Sequence, residues 1–355
     1  MNLFAFALLL AFAAVWLVLP LVPALREFFR PTDVEPLTMV GRDNADIARF
    51  ARNFREYLQG QLGGFASGPD ARGEETGKLP DNTPFMRLAR LPNEISRTSM
   101  PPGATGRLLV LDQSTVLDGG EHFRLEIWSR EDFIGGPSAA YRAILGEQSI
   151  ELAESSTIMR WVHSVGPLVV GPRSTLYGRA SSEKEVHLAS KVGFDRIGAP
   201  LIIVGTAAPS PMPPQSADKK FLVPERSRAL GDHLRVEQDL TVPAGTVIDG
   251  NLVVAGRCWL GKGVRVNGSL KVHRELTMEP GVVVTGAIVC RLGIKVGEGS
   301  WIMGPVISEE HLEIGTKTTI GKREQPTTVS ARSITIAAGS VVCGQMMGEE
   351  GGRTT

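Results

Sequence analysis

Aromatic residues supply only 6% of this 355-residue chain, so its interior has to be assembled from aliphatic side chains rather than from clustered rings. Charge of one sign is also missing: 38 basic residues stand against 38 acidic ones, with no long basic run, which removes the electrostatic footprint of a nucleic-acid binder. The three cysteines, Cys258, Cys290 and Cys343, lack the short paired spacing of a zinc site, and an odd count argues against a disulfide framework. They read as small buried hydrophobes in a reducing compartment. Catalytic signatures are absent too: the chain holds no GxxxxGK[ST] loop, no GxSxG elbow, no CxxC and no HExxH. Of the histidines, His163, His187 and His273 fall at outward or corner places of the repeat set out next and read as solvated surface groups. No catalytic, cofactor-binding or metal-ligating set follows, and the chain reads as non-enzymatic.

What is present is a repeat. From Leu234 to Lys322 the chain returns on itself every 18 residues. One column holds Leu234, Leu252, Leu270, Ile288 and Val306, and another holds Leu240, Cys258, Leu276, Ile294 and Leu312. A third pair of columns runs from Thr246 and Ile248 to Thr318 and Ile320, with glycines at Gly245, Gly263, Gly281 and Gly299 and again at Gly250, Gly268, Gly286 and Gly304. Each row is three six-residue units with inward residues at the first and third places, which is strand alternation followed by a corner. An amphipathic helix requires period 3.6 and tolerates glycine poorly. The pattern predicts an all-β fold, a parallel β-solenoid with 18 residues per triangular coil, each strand pairing with those about 4.8 Å above and below.

Residues 3–25 carry no charge, long enough for a transmembrane helix, and domain 1–30 is expected to be a membrane anchor. Arg26 and Arg30 follow the span and no basic side chain precedes it, so the positive-inside rule places the body in the cytoplasm. Residues 31–80 are expected to hold a short amphipathic helix, capped by Asp43 or Asn44 and ending before Gly60, then a flexible linker from Gly63 to Pro80. The helix stripe is Ile47, Phe50, Ala51, Phe54 and Leu58, while Arg42, Arg49, Arg52 and Arg55 lie elsewhere and suit acidic lipid headgroups; the preferred reading is a cap packed on the first coil. Residues 81–205 are expected to form an N-terminal solenoid part, regular from Ile150; as far as Gly146 the register is broken, and the stretch reads as solenoid with irregular corners or as a small β cap. Residues 206–233 are a Pro-rich insert; the composition of 206–232 resists strand pairing, and that loop docks a partner or is a tolerated insertion. Residues 234–346 form the C-terminal solenoid, and 347–355 a polar, mobile tail.

The segment 247–256, VIDGNLVVAG, with VRVNGSLKV and VVVTGAIV after it, resembles the repeats of the bactofilins, bacterial polymer-forming cytoskeletal proteins. The resemblance covers 234–344. It implies a right-handed β-helix that polymerises end to end without nucleotide at the bacterial inner membrane and recruits envelope or morphogenesis enzymes. This chain departs from the compact family pattern in its anchor, its additional N-terminal solenoid part and its insert. Independently, open strand edges favour self-association. Outward apolar residues Val253, Val289 and Ile307 on one face, and Val247, Val283 and Trp301 on another, are the candidate contact surfaces, and the Val342 end is the expected site of growth. The function expected is a membrane-anchored, self-associating scaffold without cofactors. The alternative is a left-handed hexapeptide-repeat acyltransferase using His273 or His311 as base.

Overall fold

The computed structural model describes residues 12, 16, 19–22, 46–62, 73–89, 100–206, 219–230 and 233–355. The chain divides into two units, Met1–Asp46 and Ile47–Thr355. The expected membrane span at 3–25 lies outside the described residues except for 12, 16 and 19–22, as do the capping residues Asp43 and Asn44. Among the described residues no helix is long and apolar enough to cross a membrane.

The second unit is a parallel β-solenoid of about 13 turns with one helix packed on it. In its C-terminal part the predicted columns are the observed ladders. Leu234, Leu252, Leu270, Ile288 and Val306 stack rung upon rung, and so do Leu240, Cys258, Leu276, Ile294 and Leu312. All are buried except Leu234, which lies half-buried on the first coil. Gly245, Gly263, Gly281 and Gly299 have φ between 62° and 72°, the left-handed corner that glycine adopts without steric penalty. The slip after Gly321 is taken up by a tight loop in which Lys322 and Gln325 exchange backbone hydrogen bonds.

The irregular stretch before Gly146 is solenoid with irregular corners, not a separate β cap. The inward ladder runs Leu109, Ile127, Ile144, Val162, Ala180 and Ile197. Its steps are of 18 residues except for two of 17, from 127 to 144 and from 180 to 197, and the pairing register shifts on those rungs. The supposed linker also holds structure. Strand Glu74–Lys78 forms an antiparallel hairpin with Pro84–Leu88, which in turn pairs with Leu108–Leu111. The hairpin turn is held by Asp81 Oδ1 accepting from Thr83 N–H at 3.0 Å, an Asx turn that polar composition concealed. A polar strand on the outside of an edge is what the end of a sheet requires.

The two solenoid parts do not run on as one ladder. The N-terminal part ends on strand Gly193–Val204, and that strand pairs antiparallel with Val341–Thr354, the last strand of the C-terminal part. The pairing covers all three faces: Ile203 opposite Val341, Ile197 opposite Met346, Gly193 opposite Arg353. The insert therefore carries the chain to the far end of the rod, and the C-terminal part winds back towards the N-terminal one. Two coils meeting head to head lie antiparallel only when both have the same hand, because reversing the direction of travel at fixed hand reverses the sense of winding. One hydrophobic core passes through the junction without a break.

This arrangement corrects three expectations. Val342 is fully buried, and the end expected to grow is sealed by the chain's own first rod. Residues 347–355 are not a loose tail: Thr354 is fully buried, its Oγ1 accepting from Val192 N–H at 2.9 Å and donating to Ala189 O at 2.6 Å. The insert does pair as strands, Lys219–Lys220 with Thr246–Val247 and Ser227–Leu230 with His233–Val236. Phe221 between them packs against the core at the rod's outer end. Residues 207–218, with most of the prolines, lie outside the described residues.

Candidate functional site

Among the described residues, helix α1 (Arg49–Leu62) is the one element laid across several coils rather than built into one. Its 14 residues rise about 21 Å, four to five coil repeats. Ile47, just before it, sits over Gly198, where a methyl group would come within 2.9 Å of Ile47 Cδ1. Phe54 meets Trp161 edge to face at 5.4 Å, and Leu58 is buried with Phe85, Leu108 and Val110. The helix thus runs lengthwise along the first rod, covering outward side chains, and is not a cap on the first coil. Phe50, expected in the buried stripe, is 49% exposed and lies under the Arg179 guanidinium at 4.3 Å. The helix also continues through Gly60 to Leu62.

Its packing overturns the reading of His163 as a surface group. His163 faces outward from its strand, but α1 covers that face and leaves it 2% exposed. Nδ1 lies 2.9 Å from Ser181 Oγ, while Nε2 has no hydrogen-bond partner among the described residues and stands 3.7 Å from Glu183 Oε1. Around it Glu147 Oε1 accepts from both Arg55 Nε, on the helix, and Trp128 Nε1. Burial holds the imidazole below its ordinary pKa of 6.5, with Arg55 acting in the same direction and Glu183 and Glu147 opposing it. The native state therefore prefers neutral His163. The packing is at full strength above pH 6.5 and weakens as the pH falls through that value, because the exposed imidazole takes up the proton more readily. Amide exchange in α1 is expected to be faster at pH 5.5 than at 7.5 after correction for intrinsic rates, and His163→Gln should remove most of that difference.

Of the outward columns, Val289 and Ile307 are 38% and 40% exposed, and Val253 in the same column is half-buried. Val247 and Trp301 on the other face are half-buried, but Val283 is only 5% exposed and does not belong to a surface patch. It stands between the long side chains of Arg265 and Trp301 on adjacent rungs. The first of these columns does not stop at the junction. From Arg235 through Val253, Lys271, Val289, Ile307 and Ser330 it reaches Met347, and the antiparallel seam carries it on to Arg196, Arg179 and Trp161. A recess of about 830 Å³ opens where it crosses the seam. Reading the two parts as one continuous ladder could not place these arginines beside Met347, since residues 196 and 347 meet only through the reversal.

The cysteines are free and buried. Burial pushes Cys258 up to about 12, and Cys290 Sγ–H donates to Arg274 O at 2.7 Å. The His311 ring lies flat over Gly293, and neither its imidazole nor that of His273 has a hydrogen-bond partner among the described residues. No family model matches the chain, and the searches of curated proteins and of solved structures found no match either.

Proposed function

We propose that this chain is a non-enzymatic scaffold of the bactofilin kind, anchored in the bacterial inner membrane through 3–25 with its right-handed rod on the cytoplasmic side, which self-associates through the rod and recruits envelope or morphogenesis partners. The observation that carries self-association is an open edge on the outermost coil of the C-terminal part. Two of that coil's three strands are covered from outside, His233–Val236 by Ser227–Leu230 and Thr246–Asp249 by Lys219–Lys220. Among the described residues the third, Leu240–Val242, pairs only inward, with Cys258–Leu260.

Its inward bonds are made by Leu240 N–H to Arg257 O and by Gly261 N–H to Val242 O. Strand alternation therefore turns the N–H and C=O of Thr241 away from the stack. Unpaired backbone of this kind is a template for another strand. The half-exposed apolar residues Val253, Val289 and Ile307 give lateral contacts, and the insert at 206–232 is a second surface for partners.

Thr241→Pro is the test. The substitution removes only the outward donor, on an edge strand whose side chain is exposed. The full chain in nonionic detergent should sediment as larger assemblies, and the variant should shift to the smallest species while its circular dichroism is unchanged. A variant that assembles as the parent does places self-association elsewhere.

A further inference from the structure

Three arginines occupy successive rungs on the first rod where the continuous face meets the seam. Arg179 is paired directly with Arg196 on one side and with Trp161 on the other, and Arg160 immediately precedes Trp161. All three line the recess at the junction. None has a carboxylate within ion-pair distance among the described residues, in contrast to Arg87 with Asp112, Arg142 with Glu126 and Arg332 with Glu310. The nearby Asp195 spends one carboxylate oxygen on the Gly178 N–H at 2.8 Å. The charges are felt within the group, since burial and the neighbouring Arg196 both hold Arg179 below its ordinary value. Phe50 of α1 fixes the Arg179 guanidinium from the other side.

The opposite wall, from the second rod, is different. Glu309 and Glu349 line it, again without an ion pair among the described residues, together with the hydroxyl-bearing Ser308 and Ser330 and with Arg332, whose charge is answered by Glu310 at 2.7 Å. Basic and acidic groups thus face each other across open space without closing on one another. Rungs about 4.8 Å apart spread the three cationic groups over about 10 Å. A compact anion meets one or two of them, while a dense polyanion brings charge against Glu309 and Glu349.

We infer that the junction recess binds a short peptide segment of a partner protein, its carboxylates on Arg160, Arg179 and Arg196 and its ammonium or amide N–H groups towards Glu309 and Glu349. Arginine's planar fork suits bidentate carboxylate binding, and the volume is of the size that ligand clefts have. The site deepens the scaffold reading by giving the chemistry of a recruited partner. It is tested apart from assembly, because binding to the recess is read separately from sedimentation.

The experiment is a fluorescence anisotropy titration of the full chain in nonionic detergent. The labelled probes are an alternating Glu-Lys hexapeptide, hexaglutamate and hexalysine, with unlabelled tripolyphosphate as competitor. The alternating peptide should bind best, weaken with added salt, and lose about tenfold or more of its affinity in Arg179→Gln/Arg196→Gln. Arg160→Gln, at an exposed side chain, serves as the second variant should the double one fold poorly. Arg291→Gln, outside the recess, should leave binding unchanged. Equal binding of hexalysine, displacement of the peptide by tripolyphosphate at equal concentration, or full affinity in the recess variants each overturns the assignment. Loss of assembly in Thr241→Pro with peptide binding intact separates this site from the self-association edge.

Discussion

Deleting residues 349–355 should destabilise the rod by about 3–5 kcal/mol, although a polar run of glycine and glutamate looks dispensable. The deletion strips a strand from two neighbours at once. On one side Ile334, Thr335 and Ile336 lose Gly352, Arg353 and Thr354; on the other Gly193 and Phe194 lose Arg353 and Gly352. The backbone bonds from Lys191 N–H to Thr354 O, from Thr354 N–H to Val192 O and from Thr355 N–H to Ile336 O go with it. So do both bonds of the Thr354 hydroxyl, leaving Val192 N–H and Ala189 O without their partner. Buried donors and acceptors left unpaired account for a large share of the loss, and newly wetted Phe194 and Ile336 for much of the rest. The midpoint of urea unfolding, followed by circular dichroism, should fall clearly, and the Lys191 and Val192 amides should exchange first. An unchanged midpoint would mean that the segment is as loose as its composition suggests.

Leu276→Asp should be more damaging still. Leu276 is 1% exposed, stacked between Cys258 and Ile294 in an interior where, among the described residues, no cationic side chain stands to answer a carboxylate. Removing the leucine packing costs about 2–5 kcal/mol. An uncompensated buried charge adds about 3–5 kcal/mol. Together they approach the whole stability of an ordinary domain, about 5–15 kcal/mol. The variant should lose its cooperative urea transition, and Leu276→Ala should keep one at a lower midpoint. A cooperative, parent-like transition in Leu276→Asp would falsify the inward assignment of that column.

What the sequence makes legible follows from what repeats in it. Period, inward columns and glycine corners are local, and Leu252 over Leu270 over Ile288 can be read from spacing alone. The N-terminal coils before Gly146 are harder because a step of 17 interrupts the count, whereas from Ile150 the six-residue units stay legible even though the corners at Ser155, Arg173 and Lys191 take φ of 58–60° without glycine. Direction is a different matter. Strand spacing is the same whether a second rod continues the first or comes back to meet it, so the buried Val342 end and the pairing of Thr354 had no local signal. Outward position did not settle exposure either: His163 points away from its coil and is covered by α1, and Val283 is screened by its neighbours on the ladder. The arginine recess, finally, joins residues 160–196 to 308–349 and exists only once the rod is closed.

The reversal also sets a timetable for biosynthesis. Strand Gly193–Val204 is finished early, yet its partner is complete only at Thr354, 150 residues after Val204. At about 5–20 residues per second, the nascent first rod waits roughly 8–30 s with Ile197, Ile202 and Val204 uncovered on a bare edge. During that interval a neighbouring nascent chain on the same messenger offers the same strand in the same state. The rate of elongation through the second rod, rather than the final stability of the seam, governs how often two chains capture one another.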